Sequence, residues 1–148
     1  MTPQDMTPQD MAALHRRAFT VPRPWSAVEF ADLMTSPHVF VLGDAAGFIL
    51  GRAIAGEAEV LTLAVDPARR RQGRARGLLA LFRAEACARK ADTAFLEVAE
   101  NNKAAIALYN GAGYVVSARR KRYFSGDGGV RLDALVMVLR LDATATPV

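Results

Sequence analysis

Apolar positions follow two rhythms along this chain, and each change of rhythm marks an element. Thr7-Pro8-Gln9-Asp10 opens a helical pattern, with Thr7 as cap, Pro8 at the first turn and Asp10 three residues after the cap. A helix to about Phe19 follows, then a loop over Val21-Pro22-Arg23-Pro24-Trp25, then a short helix capped by Ser26 and running to about Met34. His38–Gly43 and Gly47–Ala55 read as a strand hairpin joined by Asp44-Ala45-Ala46. Glu57–Val65 carries the apolar run Val60–Val65 and reads as a buried central strand that stops at Asp66-Pro67. Helical spacing returns over Arg74–Lys90, where Ala75, Leu78, Leu79, Phe82 and Ala86 mark the buried face.

Thr93–Ala99 reads as a second central strand. Asn101 or Asn102 caps the next helix, on which Ala105, Leu108, Tyr109 and Ala112 share a face, and Gly111 or Gly113 ends it. Val115–Phe124 and Arg131–Leu141 read as late antiparallel strands around a glycine-rich loop. This order predicts one α/β (α+β) domain over residues 1–148, with a mostly antiparallel central sheet and about four helices. The pentapeptide Met1–Asp5 is repeated as Met6–Asp10, which reads as a duplication at the start rather than a functional repeat. Residues 1–6 and 142–148 are expected to be flexible.

Composition sets bounds on function. The 148 residues suit one domain with a full core, and 51% apolar content excludes a disordered chain. No apolar run approaches the roughly 20 residues that span a bilayer, and the N-terminus lacks the apolar stretch of a signal peptide. The single cysteine, Cys87, cannot form an intrachain disulfide, so a cytoplasmic protein is expected. Cys87 lies mid-helix without a partnering His motif and reads as a packing residue. His15 and His38 lack metal spacing, and no metal is expected. The net charge of +4 is clustered in Arg69–Arg76 and in Arg119–Arg122. No helix-turn-helix, zinc or aromatic RNA-binding pattern accompanies these clusters, so specific nucleic-acid binding is not expected. The second run is either a solvated face or a contact for a partner.

The strand-to-helix junction after Val65 carries the most chemistry. Unpaired N–H groups at a helix start, with the helix dipole, form an anion site. Gly73 and Ala75 allow close approach to the backbone, and arginines surround them. A pyrophosphate is the expected guest. The segment lacks both the phosphate-binding Gly-x-x-x-x-Gly-Lys-Ser/Thr loop and the Gly-x-Gly-x-x-Gly fingerprint.

Arg70-x-x-Gly73-x-Ala75 resembles the acetyl-coenzyme A signature of the GNAT N-acetyltransferase family. Asn102-x-x-Ala105-x-x-x-Tyr109-x-x-x-Gly113-Tyr114 resembles that family's second block. Leu96-Glu97-Val98, Ala104–Tyr109, Arg119–Tyr123 and Pro24-Trp25-Ser26 with Phe30 are similar to the branch that acetylates ribosomal-protein alanines in bacteria (RimI-like). The likeness covers about residues 11–140. Tyr123-Phe124 departs from the Tyr-Tyr pair common in close relatives, Leu132-Asp133 stands where an acidic pair is often seen, and the loop Ser125–Gly129 is unusual.

The resemblance implies a sheet that splays open between the two central strands, with acetyl-coenzyme A in the gap. It implies coenzyme contacts at Leu63, Ala64, Val65, Arg70, Arg71, Gln72, Gly73, Arg74, Ala75, Arg76, Asn102 and Tyr109. Glu97 would be the general base and Tyr109 the general acid, while Trp25, Phe30 and Tyr123 would line the acceptor side. Bland alternatives stand beside these. Glu97 could instead be a surface-facing strand glutamate, Tyr109 a core tyrosine and Asn102 a cap alone, while Trp25 and Phe30 read equally as packing for the second helix. Glu100, at the strand–helix junction, is a weaker candidate base. The expected activity is direct acetyl transfer to a protein N-terminal α-amine, such as a ribosomal-protein alanine. Transfer to lysine or a small amine, or a silent acetyl-coenzyme A-binding regulator, are the alternatives.

Overall fold

A computed structural model describes residues 6–19, 23–70, 72–125 and 127–141. Helices α1 (Pro8–Ala18) and α2 (Ala27–Met34) are followed by strands β1 (Val39–Asp44), β2 (Gly47–Ile54) and β3 (Glu57–Val65). Helix α3 (Arg74–Ala88), strand β4 (Thr93–Ala99), helix α4 (Lys103–Gly111), strand β5 (Val115–Ser125) and strand β6 (Arg131–Arg140) complete the order. The strands form one sheet in the order β1-β2-β3-β4-β6-β5. All neighbours are antiparallel except β3 and β4.

Local chemistry explains the boundaries. Thr7 accepts a hydrogen bond from the Asp10 N–H at 3.0 Å, and the Asp10 carboxylate accepts from the Thr7 N–H at 3.1 Å. Ser26 and Glu29 form the same reciprocal cap on α2, and Arg23 clamps both Glu29 oxygens at 2.9 and 2.7 Å. Helix α3 ends at Ala88, two residues before the expected Lys90, because Lys90 turns to a positive φ of 69°. For α4, Asn102 is the cap and Gly113, at φ 99°, takes the chain out of the helix.

Alternation on the strands builds a core on each face of the sheet. Ile49, Val60, Leu63 and Phe82 belong to the core under α3 and α4. Phe48, Leu50, Ala64, Met11, Leu14 and Phe30 belong to the core under α1 and α2. On β3 the alternation slips against β2. Leu50 faces Thr62 and Gly51 faces Val60, so Leu61 is an extra residue on β3. Leu61 and Thr62 consequently both face α1, and the strand bends there.

That bend adjoins the opening of the sheet. β3 and β4 pair only over Glu57–Glu59 with Thr93–Phe95. β4 keeps its other edge on β6 throughout, from Thr93–Arg140 to Ala99–Ala134. Beyond Glu59 the facing edges of β3 and β4 therefore separate.

His15 pins this geometry from beneath. It is fully buried, and its Nδ1 accepts the Trp25 backbone N–H at 2.8 Å. Nδ1 being an acceptor, the ring proton is on Nε2, which donates to Thr62 Oγ1 at 2.8 Å. Burial lowers the His15 pKa to about 4. The unfolded chain binds a proton near the ordinary value of 6.5, and the folded chain does so only near 4. Stability should therefore fall as pH drops through this window, by roughly 3 kcal/mol in all. Urea unfolding between pH 7 and pH 5 should show about 2 kcal/mol of this loss, and His15→Gln, though less stable at pH 7, should show a flatter slope. An equal slope in both proteins would remove His15 as its source.

Candidate active site

The separated strands frame a cleft of about 930 Å³. One wall is β3, lined by Val60–Leu63 and Val65, and the other is β4, lined by Leu96–Ala99. The start of α3 closes one end and α4 lies across the gap, contributing Asn102, Ala105, Leu108 and Tyr109. Past Glu59, β3 has no strand partner on the cleft side, so its backbone groups there are open to a guest.

The anion end follows from an absent cap. Thr7, Ser26 and Asn102 cap α1, α2 and α4, but α3 begins at Gly73 without a side-chain hydrogen bond. Gly73 takes a positive φ of 76°, and a Cβ there would meet no atom within 4 Å. The open space lets a ligand reach the backbone, and the φ disfavours any side chain. Arg69, Arg70, Arg74 and Arg76 line this end, and Arg70 also donates to the Ala18 carbonyl at 3.3 Å. These features fit a pyrophosphate-bearing guest.

The sequence-predicted residues divide among several places. Leu63, Val65, Arg70, Gly73, Arg74, Ala75, Arg76, Asn102, Glu97 and Tyr109 come together on the cleft. Ala64 is buried and turns its side chain into the α1–α2 core, leaving only its backbone for the cleft edge. Gln72 lies outside the lining, exposed, and accepts from Arg74 Nε at 3.3 Å. Arg71 lies outside the described residues.

On the acceptor side the structure corrects one expectation. Phe30 is fully buried, edge-on to Phe48 at 5.8 Å, so it packs α2 on the sheet and cannot line a groove. Trp25 is half-buried against His15 and Phe30 and is not on the cleft wall. Tyr123, 46% exposed, sits on β5 beside Arg120. Cys87, expected to pack, is exposed, because it follows buried Ala86 by one helical step.

Glu97 projects from β4 with its side chain 18% exposed. Arg120 Nε lies 2.7 Å from its Oε2, yet no N–H is aligned with that buried oxygen, which has no hydrogen bond among the described residues. Burial raises the Glu97 pKa, Arg120 opposes the rise, and Glu59 adds to it. Glu100 is occupied structurally: it accepts from the Asp133 N–H at 2.7 Å and from Arg119 at 3.3 Å. Tyr109 lies half-buried on α4, and burial moves its phenol up to about 12, so it holds its proton across the physiological range. Asn102 Oδ1 caps α4 through the Ala105 N–H at 3.1 Å.

Two participants escaped sequence reasoning. Thr62 lines the cleft and is held by His15, and Arg120 reaches Glu97 across β6. His15 carries a faint signal, because it continues the apolar face of Met11 and Leu14 on α1. Arg120 lies in the family-like Arg119–Tyr123 segment, but nothing in it points to Glu97.

The fold and the cleft define an acyltransferase scaffold, and residues 8–114 match the acetyltransferase (GNAT) family. The chain belongs to that family and is an acetyltransferase. Among particular relatives, it is 37% identical over 120 residues to the ribosomal protein bS18-alanine N-acetyltransferase of Escherichia coli K12, covering 78% of this chain and 80% of the relative. It is 33% identical over 129 residues to the N-alpha-acetyltransferase RimI of Mycobacterium tuberculosis, covering 81% and 80%. The crystal structure of the ribosomal-protein-S18-alanine N-acetyltransferase from Escherichia coli superposes with a TM-score of 0.82 at 31% identity, over 95% of this chain and 92% of that one.

The phenol assignment gives a direct test. In an alkaline absorbance titration, the step missing from Tyr109→Phe should lie near pH 12. A missing step at the ordinary value near 10 would show a solvated phenol.

Proposed function

We propose that this chain transfers the acetyl group of acetyl-coenzyme A directly to the N-terminal α-amine of a protein, an alanine of a ribosomal protein in the cytoplasm. The observation that carries the reading is one cleft that joins an uncapped, arginine-ringed helix start to a carboxylate and a protonated phenol. The two relatives named for N-terminal acetylation supply the acceptor class.

Bound acetyl-coenzyme A supplies the thioester. Arg70, Gly73, Arg74, Ala75 and Arg76 hold its pyrophosphate. The open edge of β3 at Leu63, Ala64 and Val65 pairs with its amide arm, and the Asn102 NH₂, which capping does not use, hydrogen-bonds the same arm. Glu97 removes a proton from the acceptor ammonium, directly or through water. The amine nitrogen then bonds to the thioester carbon, the carbon–sulfur bond breaks, and Tyr109 gives its proton to the departing sulfur. After attack the nitrogen loses its second proton to solvent, Tyr109 is reprotonated from solvent, Glu97 releases the first proton there, and the third stays on the product amide. An α-amine ionises near pH 8 against about 10.4 for lysine, so a single carboxylate base suits the former better. Trp25 and Tyr123 border the acceptor side, and Phe30 supports Trp25 from the core.

Thiol release with acetyl-coenzyme A and a peptide panel tests the reading. A peptide beginning with alanine should be acetylated, and the same peptide with a blocked N-terminus and an internal lysine should not. A higher kcat/KM for the lysine peptide or a polyamine would replace this acceptor assignment. Glu97→Gln should lower kcat by about 10²-fold with little change in coenzyme affinity, and the loss should shrink at high pH as the amine deprotonates unaided. Tyr109→Phe should lower kcat while leaving the fold intact. Gly73→Val should abolish coenzyme binding by calorimetry, and unchanged affinity in the folded variant would remove the proposed pyrophosphate site.

A further inference from the structure

Arg120 stands where charge matters most, and the family match assigns it nothing. Its Nε is 2.7 Å from the buried Oε2 of Glu97, and its guanidinium lies over the Tyr123 ring at 5.0 Å from the centroid. The backbone is bent to make this arrangement. β5 and β6 lose register between Arg120 and Phe124: Arg120 faces Ala134 and Phe124 faces Leu132, so Lys121, Arg122 and Tyr123 oppose Asp133 alone. Arg122 takes a left-handed φ of 54°, and its N–H donates to the Asp133 carboxylate at 3.0 Å. A non-glycine residue holds that conformation only when its surroundings fix it. The bulge lets the side chains of Arg120 and Tyr123 meet.

We propose that Arg120 is a positioning residue for acetyl transfer: shelved on the Tyr123 ring, it keeps the Glu97 carboxylate charged and fixed at the cleft wall while the acceptor amine arrives. The inference rests on Glu97 as the base. A base buried among apolar neighbours drifts toward its neutral, useless form, and a nearby cation opposes the drift. The contact to Oε2 is not an aligned hydrogen bond, so charge rather than directional bonding carries the effect. Glu97 is faced by Arg120 from β5 and by Glu59 from β3, and Glu59 is itself paired with Arg52 of β2 at 2.8 Å. Its neighbour on β6, Val136, is apolar. Arg120 is therefore the cation that offsets both burial and Glu59. With 57% of its side chain exposed, it can withdraw toward solvent as the acceptor ammonium takes its place.

The test is an NMR titration of ¹³C-glutamate in the free enzyme, with the Glu97 signal assigned by Glu97→Gln. In Arg120→Gln the Glu97 midpoint should rise by about one pH unit, and Arg120→Lys should return most of the way. The kcat/KM of Arg120→Gln for the alanine peptide should fall about threefold more at pH 6 than at pH 8. Tyr123→Leu removes the shelf without changing charge and should move the midpoint the same way by less, which decides the matter if Arg120→Gln fails to fold. An unmoved midpoint overturns the proposal, as does an equal rise in the Lys and Gln variants. The titration needs neither coenzyme nor acceptor, so its failure is separate from a failure of Glu97 as the base, which would appear as wild-type turnover in Glu97→Gln.

Discussion

Two parallel strands that stop pairing after three residues determine the rest of this molecule. Every backbone N–H and C=O on the parted edges of β3 and β4 must find another partner or stay wet. In a closed sheet that would be a defect. Here the loss is offset on both outer flanks, because β3 stays paired along β2 and β4 along β6. The opening can therefore persist without unravelling the sheet, and the extra residue at Leu61 bends β3 at the point of departure.

The two cores have different duties around that opening. The larger one, under α3 and α4, holds the helix start that faces the anion end and the helix that carries Tyr109. The smaller one, under α1 and α2, is organised by His15, which ties α1, the segment before α2 and β3 together through two hydrogen bonds. A neutral imidazole in that position satisfies a backbone donor and a hydroxyl at once, which no apolar side chain of similar size would do.

Much of this was legible in the chain, for reasons that differ by residue. The caps at Thr7 and Ser26 are local chemistry, so those helix starts are readable to the residue, while the α4 start is readable only to Asn101 or Asn102. β3 and β4 were readable because apolar runs bounded by Asp-Pro or by Asn-Asn have few other readings. The bulge at Leu61 was not, since an extra residue in a wholly apolar run changes no visible pattern. Phe30 and Trp25 share an aromatic signature, and only packing separates a buried anchor from a half-exposed ring. Cys87 was misread because helical phase, one step past Ala86, outweighs the residue's usual preference for the interior. The ion pair of Arg120 with Glu97 spans strands that β6 separates, and β6 lies later in the chain than both.

β5 is the last strand of the sheet, eleven residues long and exposed along nearly all of it. A bare edge of that length is a template on which another chain can add a strand, and Val115 and Val116 would welcome one. The cationic run Arg119–Arg122 and the kink at Arg122 repel and misalign such a visitor. The same four residues thus guard against fibre-like self-association, and any neutralising change among them trades colloidal solubility for whatever it alters in the cleft.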